Sequence, residues 1–99
     1  MKTFSFKEKK RYFPVELPDG TKITLPGPKK KTMDTLANLE GSAESFNEIY
    51  AVVSEVLSTN LEGRPFTPKD VDDLLDVTDI FDFVQAYTAF VQGGTVGKN

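Results

Sequence analysis

A Pro18-Asp19-Gly20 triplet lies between two short runs of alternating apolar residues, and it constrains the fold of this chain more than any other segment. The runs cover residues 12–17 and 21–25. Glycine readily adopts the positive φ angle that tight turns require, and an Asp-Gly pair between alternating runs is a strong hairpin signal. Pro14 has no N–H to give to a partner strand, so we expect it at an edge or outward-facing position. The sequence therefore predicts a β-hairpin over residues 12–25.

Two segments flank this hairpin. Before it, Thr3-Phe4-Ser5-Phe6 alternates and predicts a third short strand, followed by a basic connector over residues 7–11. After it, Pro26-Gly27-Pro28 breaks the sheet and leads into Lys29-Lys30-Lys31. We interpret this proline-rich step as the main organisational boundary of the chain.

The residues after this boundary have the periodicity of helices. Thr32 is a candidate N-cap for a short helix that Gly41 ends. Ser42 or Ser45 then opens a second helix, since both residue types cap helix starts. Its apolar residues recur at the three- and four-residue spacing of one helix face, namely Phe46, Ile49, Tyr50, Val53, Val56 and Leu57.

Two further helices follow a loop at residues 60–66. Thr67 precedes Pro68 in the pattern of an N-cap and a first-turn proline. Asp76 or Thr78 is placed to cap a last helix that runs through residue 92. We therefore predict an α+β fold, in which an N-terminal β-hairpin and the third short strand precede a bundle of three to four helices.

The 99 residues fit a single domain whose charge is divided along the chain. Residues 1–31 form a basic hairpin region with a net charge of +6, residues 32–92 an acidic helical region, and residues 93–99 a flexible tail. The net charge of residues 32–99 is −9. A basic N-terminal region joined to an acidic helical region can steer head-to-tail self-association, or the two regions can neutralise each other within one monomer.

The last helix has a wide apolar arc. Four aromatic residues on it are candidates for a partner-binding surface, and they are Phe81, Phe83, Tyr87 and Phe90. In a domain of this size, either the core surrounds the whole helix or part of the arc is exposed as a contact site. Both alternatives remain open at this point.

The residue content argues against catalysis and against bound cofactors. The chain contains no histidine and no cysteine, which removes the commonest general base, the commonest neutral metal ligand and every thiolate site. The aspartates of residues 70–82 lack the glycine and terminal glutamate of a calcium loop, so we interpret them as a solvated face. We expect no catalytic, metal-binding or cofactor-binding residue, and a protein that is not an enzyme.

Other partners can be weighed from charge and hydropathy. Lysines interleaved with Phe4, Phe6 and Tyr12 would suit nucleic acid, but the isoelectric point of about 4.9 opposes a long polyanion. No apolar run approaches the roughly 20 residues of a membrane span, and the first ten residues alternate phenylalanine with lysine. We expect a cytoplasmic protein that does not bind membranes, and the charge balance argues against nucleic acid as its main partner.

The order of these parts carries a family resemblance. A small lysine-rich β start leads into an acidic helical body that closes on DIFDFVQAYTAFV at residues 79–91. This layout resembles the tail assembly chaperones of long-tailed bacteriophages and prophages of Gram-positive hosts. The resemblance implies a non-enzymatic protein of the bacterial host cytoplasm, absent from the mature virion. It also implies binding to the tape measure protein, recruitment of tail tube protein, and self-association.

Two other classes of protein remain as alternatives. A structural phage protein, such as a head–tail connector or a tail component, would have the same small α+β build and would be found in purified particles. A small regulatory or nucleic-acid-binding adaptor would use the basic N-terminal region, and its binding would fall steeply with salt.

Overall fold

The fold was analysed in a computed structural model that describes residues 3–42 and 46–93. It contains one short hairpin and five helices in these residues. In chain order the elements are α1 (Phe6–Lys9), β1 (Tyr12–Glu16), β2 (Lys22–Pro26), α2 (Lys30–Ser42), α3 (Phe46–Leu57), α4 (Pro68–Leu74) and α5 (Val77–Val91). The predicted α+β class, with a hairpin ahead of the helices, is confirmed.

The hairpin forms where the sequence predicts it. β1 and β2 pair antiparallel, with Phe13 opposite Leu25. The Leu17 N–H donates to the Thr21 carbonyl at 2.7 Å and so closes a three-residue loop in which Gly20 has a φ of +91°. The Asp19 carboxylate accepts the Thr21 N–H at 2.9 Å, an Asx-type contact that favours the turn.

Pro14 lies on the open edge of β1, as predicted. It stands opposite Thr24, whose N–H donates to the Glu62 carboxylate and whose carbonyl accepts the Leu61 N–H, both at 2.9 Å. Both backbone groups of Thr24 therefore point away from β1. In an antiparallel pair the opposite residue points outward too, so the nitrogen of Pro14 faces the open edge.

The predicted third strand does not form among the described residues. Instead, Ser5 caps the single turn of α1 by accepting the Glu8 N–H at 3.3 Å. A serine side chain that bonds to the nearby backbone favours a helix start over an extended strand. Phe4 and Phe6 stay 65% and 76% exposed and meet each other edge to face, with ring centroids 4.9 Å apart.

The first long helix also differs from its prediction. α2 begins at Lys30, ahead of Thr32, and continues through Gly41 to Ser42. Thr32 is buried within the first turn and is not the N-cap. An exposed ion pair between Lys30 and Asp34, spaced i,i+4 at 3.1 Å, supports this earlier start. Of the two predicted caps for α3, Ser42 ends α2 and Ser45 lies outside the described residues.

The starts of α4 and α5 are confirmed, and both are capping boxes. Thr67 accepts the Asp70 N–H at 3.1 Å while the Asp70 carboxylate accepts the Thr67 N–H at 3.0 Å. Asp76 and Asp79 repeat this reciprocal arrangement at 2.8 and 3.1 Å, which selects Asp76 over Thr78 as the cap. Each box satisfies two backbone donors that a helix start otherwise leaves unpaired. The helix α5 ends at Val91, and the predicted tail lies outside the described residues from Gly94 onward.

The core lies between the hairpin and the helices. Phe13 of β1 packs against α5, with ring centroids 5.2 Å from Phe90 and 5.9 Å from Tyr87. The Arg11 guanidinium lies 4.9 Å from the centre of the Phe90 ring and donates to the Phe90 carbonyl. The apolar side chains enclosed in this core are Phe13, Leu17, Ile23, Leu25, Leu36, Val53, Val56, Leu57, Phe66, Val71, Ile80, Tyr87 and Phe90.

One polar group in this core lacks a partner. The Tyr87 hydroxyl is buried and has no hydrogen-bond partner in the described residues. Burial also raises the pKa of this phenol above its ordinary value of 10.0, because the charged form is poorly solvated there. An unpaired buried hydroxyl costs about 1–3 kcal/mol.

We therefore expect Tyr87→Phe to increase the free energy of unfolding by about 1 kcal/mol at pH 7, because the substitution removes the unpaired hydroxyl and retains the ring. The raised pKa also predicts that the native protein loses stability above about pH 10, since the unfolded state then releases a proton that the folded state retains. Urea unfolding at pH 7 and 10.5 measures both effects. A variant that is less stable than the native chain at pH 7 would contradict the first prediction. An equal loss of unfolding free energy in both proteins between pH 7 and 10.5 would contradict the second.

Candidate protein-binding surface

An apolar groove lies where the first turns of α3, α4 and α5 meet. It has a volume of about 590 Å³ and is lined by Phe46, Tyr50, Pro68 and Val77, together with the polar Asn47, Lys69 and Asp72. Phe81 lies beside it, with its ring centroid 6.4 Å from that of Phe46. We call this set of residues, Phe81 included, the apolar groove.

The apolar side chains of the groove are unusually exposed for their size. Phe46 is 55% exposed, Phe81 48% and Val77 39%. Single exposed apolar residues are ordinary on protein surfaces, but a contiguous group indicates an interaction site. Two phenylalanines in contact with each other, next to a groove, form such a group.

Local sequence chemistry places these side chains. The capping box at Asp76 fixes the start of α5 at Val77, and Phe81 follows four residues later on the same helix side. Pro68 begins α4 directly after its own cap, where the missing N–H of proline has no cost. Phe46 is the first residue of α3. The groove is therefore built from the beginnings of three helices.

One side of the groove is formed by an acidic segment, residues 68–82, which we call the acidic rim. Residues 68–82 contain six aspartates and only Lys69 as a cation, a net charge of −5. Lys69 pairs with Asp73 at 3.1 Å, and both side chains are well exposed. The backbone N–H of Thr67 donates to Asp70 and lowers the pKa of that carboxyl below its ordinary value. The groove lining itself holds one charge of each sign, Lys69 and Asp72, and the remaining aspartates lie elsewhere along this segment.

The structure separates the four aromatic residues predicted as a contact surface. Phe81 is exposed beside the apolar groove. Phe83 is half-buried, with its ring 6.1 Å from that of Phe13. Tyr87 and Phe90 are only 1% and 2% exposed. The last three are spaced i, i+4, i+7, so they share the helix side that the hairpin covers.

Tyr87 and Phe90 are thus not accessible to a partner in this fold, and partner binding by Phe81 or Phe83 stays a prediction. Tyr87 and Phe90 belong to the core of this domain, because Phe13 packs on them from the hairpin.

Periodicity alone predicts the side of a helix and not which neighbour covers it. The core covers one side of α5 along its length, from Ile80 to Phe90, while Phe81 lies on another side with Val77 and Gln85 and stays exposed.

Sequence reasoning missed most of the groove. Phe46 and Tyr50 belong to the apolar stripe that predicts α3, and such a stripe normally marks the side of a helix that faces the core. Val77 lies between Asp76 and Thr78, the two candidate caps of the last helix, so the sequence leaves open whether it belongs to that helix. Phe46 and Val77 are each the first residue of a helix.

A second surface with the opposite charge lies near the C-terminal end of α5. A cleft of about 540 Å³ is lined by the cations Lys9, Lys10, Arg11 and Lys29 and by the exposed Tyr12 and Leu61, with Phe90 and residues 26–28 completing it. The exposed Phe4 and Phe6 precede these lysines in the chain. We call residues 4–11 the basic head.

The described residues hold no group of three or more His, Cys, Asp or Glu side chains that could bind a metal ion. Within the same residues, no helix is long and apolar enough to cross a membrane. No family model matches the sequence, and neither a curated protein nor a solved structure is significantly similar to it. Function has to be argued from the two surfaces themselves.

Two matched substitutions on α5 test which aromatic residues belong to the core. We expect Phe90→Ala to lower the free energy of unfolding by about 3–5 kcal/mol, because it leaves a cavity among buried rings. Phe81→Ala should cost less than about 1 kcal/mol, since half of that ring already contacts water. Urea unfolding followed by circular dichroism gives both values, and equal losses for the two variants would refute this division.

Proposed function

We propose that this protein is a non-enzymatic protein-binding factor, and specifically a tail assembly chaperone of a phage or prophage. In this role it binds the tape measure protein in the cytoplasm of the bacterial host and recruits tail tube protein around it. The family resemblance of the sequence supports the specific role. The observation that carries the general one is the exposed apolar groove, in which Phe46, Val77 and Phe81 face water.

The shape of the groove suits an amphipathic helix. A helix that docks in a groove inserts apolar side chains at i and i+3 or i+4, and burying apolar area contributes about 25 cal/mol per Å². Aromatic side chains bury about 150–250 Å² each when fully covered. Phe46 and Phe81 thus supply the largest apolar contact area that the groove can offer.

The acidic rim selects among such helices. The net charge of −5 over residues 68–82 favours a partner helix whose apolar face is flanked by lysine or arginine, and disfavours an acidic one. It also keeps copies of this groove apart, since like charges repel when two identical rims meet. A chaperone for a long apolar helical protein needs both properties, because it has to bind apolar helices without clustering groove to groove.

Co-expression with the neighbouring gene products tests this function. We expect the native chain to hold a long, helix-rich and otherwise insoluble neighbour in the soluble fraction and to co-purify with it. Phe81→Ala should reduce the recovered neighbour at least fivefold because it removes half of the aromatic pair. Gln85→Ala, an exposed position one turn further along α5, is the matched control and should leave recovery unchanged.

The amount of neighbour in the soluble fraction and in the eluate is measured by quantitative gel densitometry, with the mass of the complex taken by light scattering. A neighbour that stays insoluble beside the native chain would refute the chaperone role. Equal recovery with native chain and Phe81→Ala would refute the groove as its binding site.

Nucleic-acid binding is a second candidate, favoured by one observation. Phe4 and Phe6 are exposed beside Lys7, Lys9 and Lys10, and aromatic rings among lysines are typical of surfaces that bind single strands. Fluorescence anisotropy with a single-stranded oligonucleotide at 50 and 200 mM salt tests it. Binding that weakens steeply between these concentrations would support this function over the first.

A further inference from the structure

The two exposed aromatic surfaces lie at opposite ends of α5 and carry opposite charge. The apolar groove includes Val77, the first residue of α5. The basic head ends at Arg11, whose side chain donates to the carbonyl of Phe90 in the last turn of the same helix. A rise of about 1.5 Å per residue separates these two ends of the helix by roughly 20 Å. Both surfaces expose apolar rings, and their charges are opposite in sign.

We propose that the basic head of one copy of this chain docks in the apolar groove of a second copy. Phe4 and Phe6 of the first copy cover Phe46 and Phe81 of the second. Lys9 and Lys10 face the acidic rim that includes Asp72. A single occupant then accounts for both exposed surfaces.

The exposed aromatic rings argue for this contact. Phe4 and Phe6 meet at 4.9 Å on one side of the contact, and Phe46 and Phe81 meet at 6.4 Å on the other. Aromatic pairs in offset or edge-to-face packing stabilise a contact beyond the area they bury. Four rings in such reach form a central apolar patch, and the charged residues around it form a polar rim, which is the ordinary anatomy of an interface.

Charge favours a second copy over nucleic acid. The basic head carries four cations against Glu8 alone, and residues 32–99 carry a net charge of −9. A long polyanion that reached the head would also meet this acidic body, whereas a second copy brings the acidic body as its binding surface. Contact between two copies pairs the cations of the head with the acidic helical region, whereas a nucleic acid pairs with the cations alone.

The head does not reach the groove of its own chain in this fold. Arg11 fastens the end of the head to Phe90, and residues 6–9 are wound into the helix α1, which shortens their span. An intramolecular contact would require α1 to unwind so that the segment could extend at about 3.3 Å per residue. A second copy needs no such change.

The contact is small, and that sets its strength. Stable interfaces bury roughly 1,200–2,000 Å² in total, and a few partly exposed rings supply less than this. We therefore expect a dissociation constant of about 10–100 μM and strong salt dependence. If the groove also binds a partner helix, as the proposed function states, a contact this weak covers the rings of the groove until the partner displaces the second copy.

Charge reversal with a swap tests the contact in the isolated protein. Lys9→Glu/Lys10→Glu should raise the self-dissociation constant at least tenfold, because acidic heads then face acidic rims. Asp72→Lys/Asp73→Lys should do the same from the other side. In the chain that carries all four substitutions, the two new glutamates of the head face lysines at positions 69, 72 and 73, so opposite charges meet again at the groove. This chain should self-associate within about threefold of the native chain. Sedimentation velocity from 5 to 500 μM at 50 and 300 mM salt measures all four proteins.

The outcomes separate this proposal from its rivals. A native chain that stays monomeric up to 500 μM at low salt overturns it, and so does a fourfold variant that fails to recover association. Lys22→Glu, at the turn end of the hairpin, is the control for charge alone and should change the dissociation constant less than threefold. Because no partner protein is present, a failure here leaves the co-expression result for the proposed function standing.

Nucleic-acid binding by the same lysines predicts a different pattern. Lys9→Glu/Lys10→Glu would abolish oligonucleotide binding, and the added Asp72→Lys/Asp73→Lys would not restore the head. Recovery of self-association in the fourfold variant is therefore expected only if the head of one copy docks at the groove of a second copy. Phe6→Ser, which leaves every charge in place, should weaken self-association at least fivefold, and an unchanged constant would overturn the role of the rings.

Discussion

The packing of Phe13 on the aromatic side of α5 is the contact on which the rest of this fold depends. An isolated two-stranded hairpin is marginally stable in water, so β1 and β2 need a helix beneath them. The ring of Phe13 meets those of Phe90, Tyr87 and Phe83 at centroid distances of 5.2, 5.9 and 6.1 Å. Arg11 adds two contacts at the same place: its guanidinium lies over the ring of Phe90 and donates a hydrogen bond to the carbonyl of that residue. The hairpin and α5 thus stabilise each other, since each covers apolar side chains that the other would leave exposed to water.

The same contact decides which apolar side chains are left for binding. The core covers the side of α5 that holds Ile80, Tyr87 and Phe90, and leaves exposed the side that holds Val77, Phe81 and Gln85. Val77 and Phe81 remain in contact with water there, and Phe46 joins them from α3. The aspartates that cap these helix starts serve two purposes, since they satisfy backbone donors and add negative charge to the acidic rim. The exposed apolar side chains therefore lie beside the helix caps, apart from the buried rings of Tyr87 and Phe90.

The sequence predicts the parts of this structure that local chemistry controls. The turn at Gly20 and the N-caps at Thr67 and Asp76 follow from side chains that bond to a backbone a few residues away, and all three are confirmed. Features that depend on distant packing were missed or misplaced. Alternation around Phe6 indicated a strand, but among the described residues no partner strand lies beside it, and Ser5 starts a helix instead. The side of α5 that the core covers is also set by distant packing: Ile80 and Tyr87 are buried, while Phe81 shares the exposed side with Val77 and Gln85.

The proline on the open edge of β1 limits the ways in which this protein can recognise others. An unpaired strand edge normally offers alternating donors and acceptors, to which an extended peptide can add as a further strand. Pro14 occupies one outward-facing position of β1 and has no N–H to offer there. On the other side, Thr24 of β2 is already bonded to Leu61 and Glu62. Strand addition is thus blocked at the centre of both edges, which protects the hairpin from amyloid-like stacking and leaves recognition to side chains.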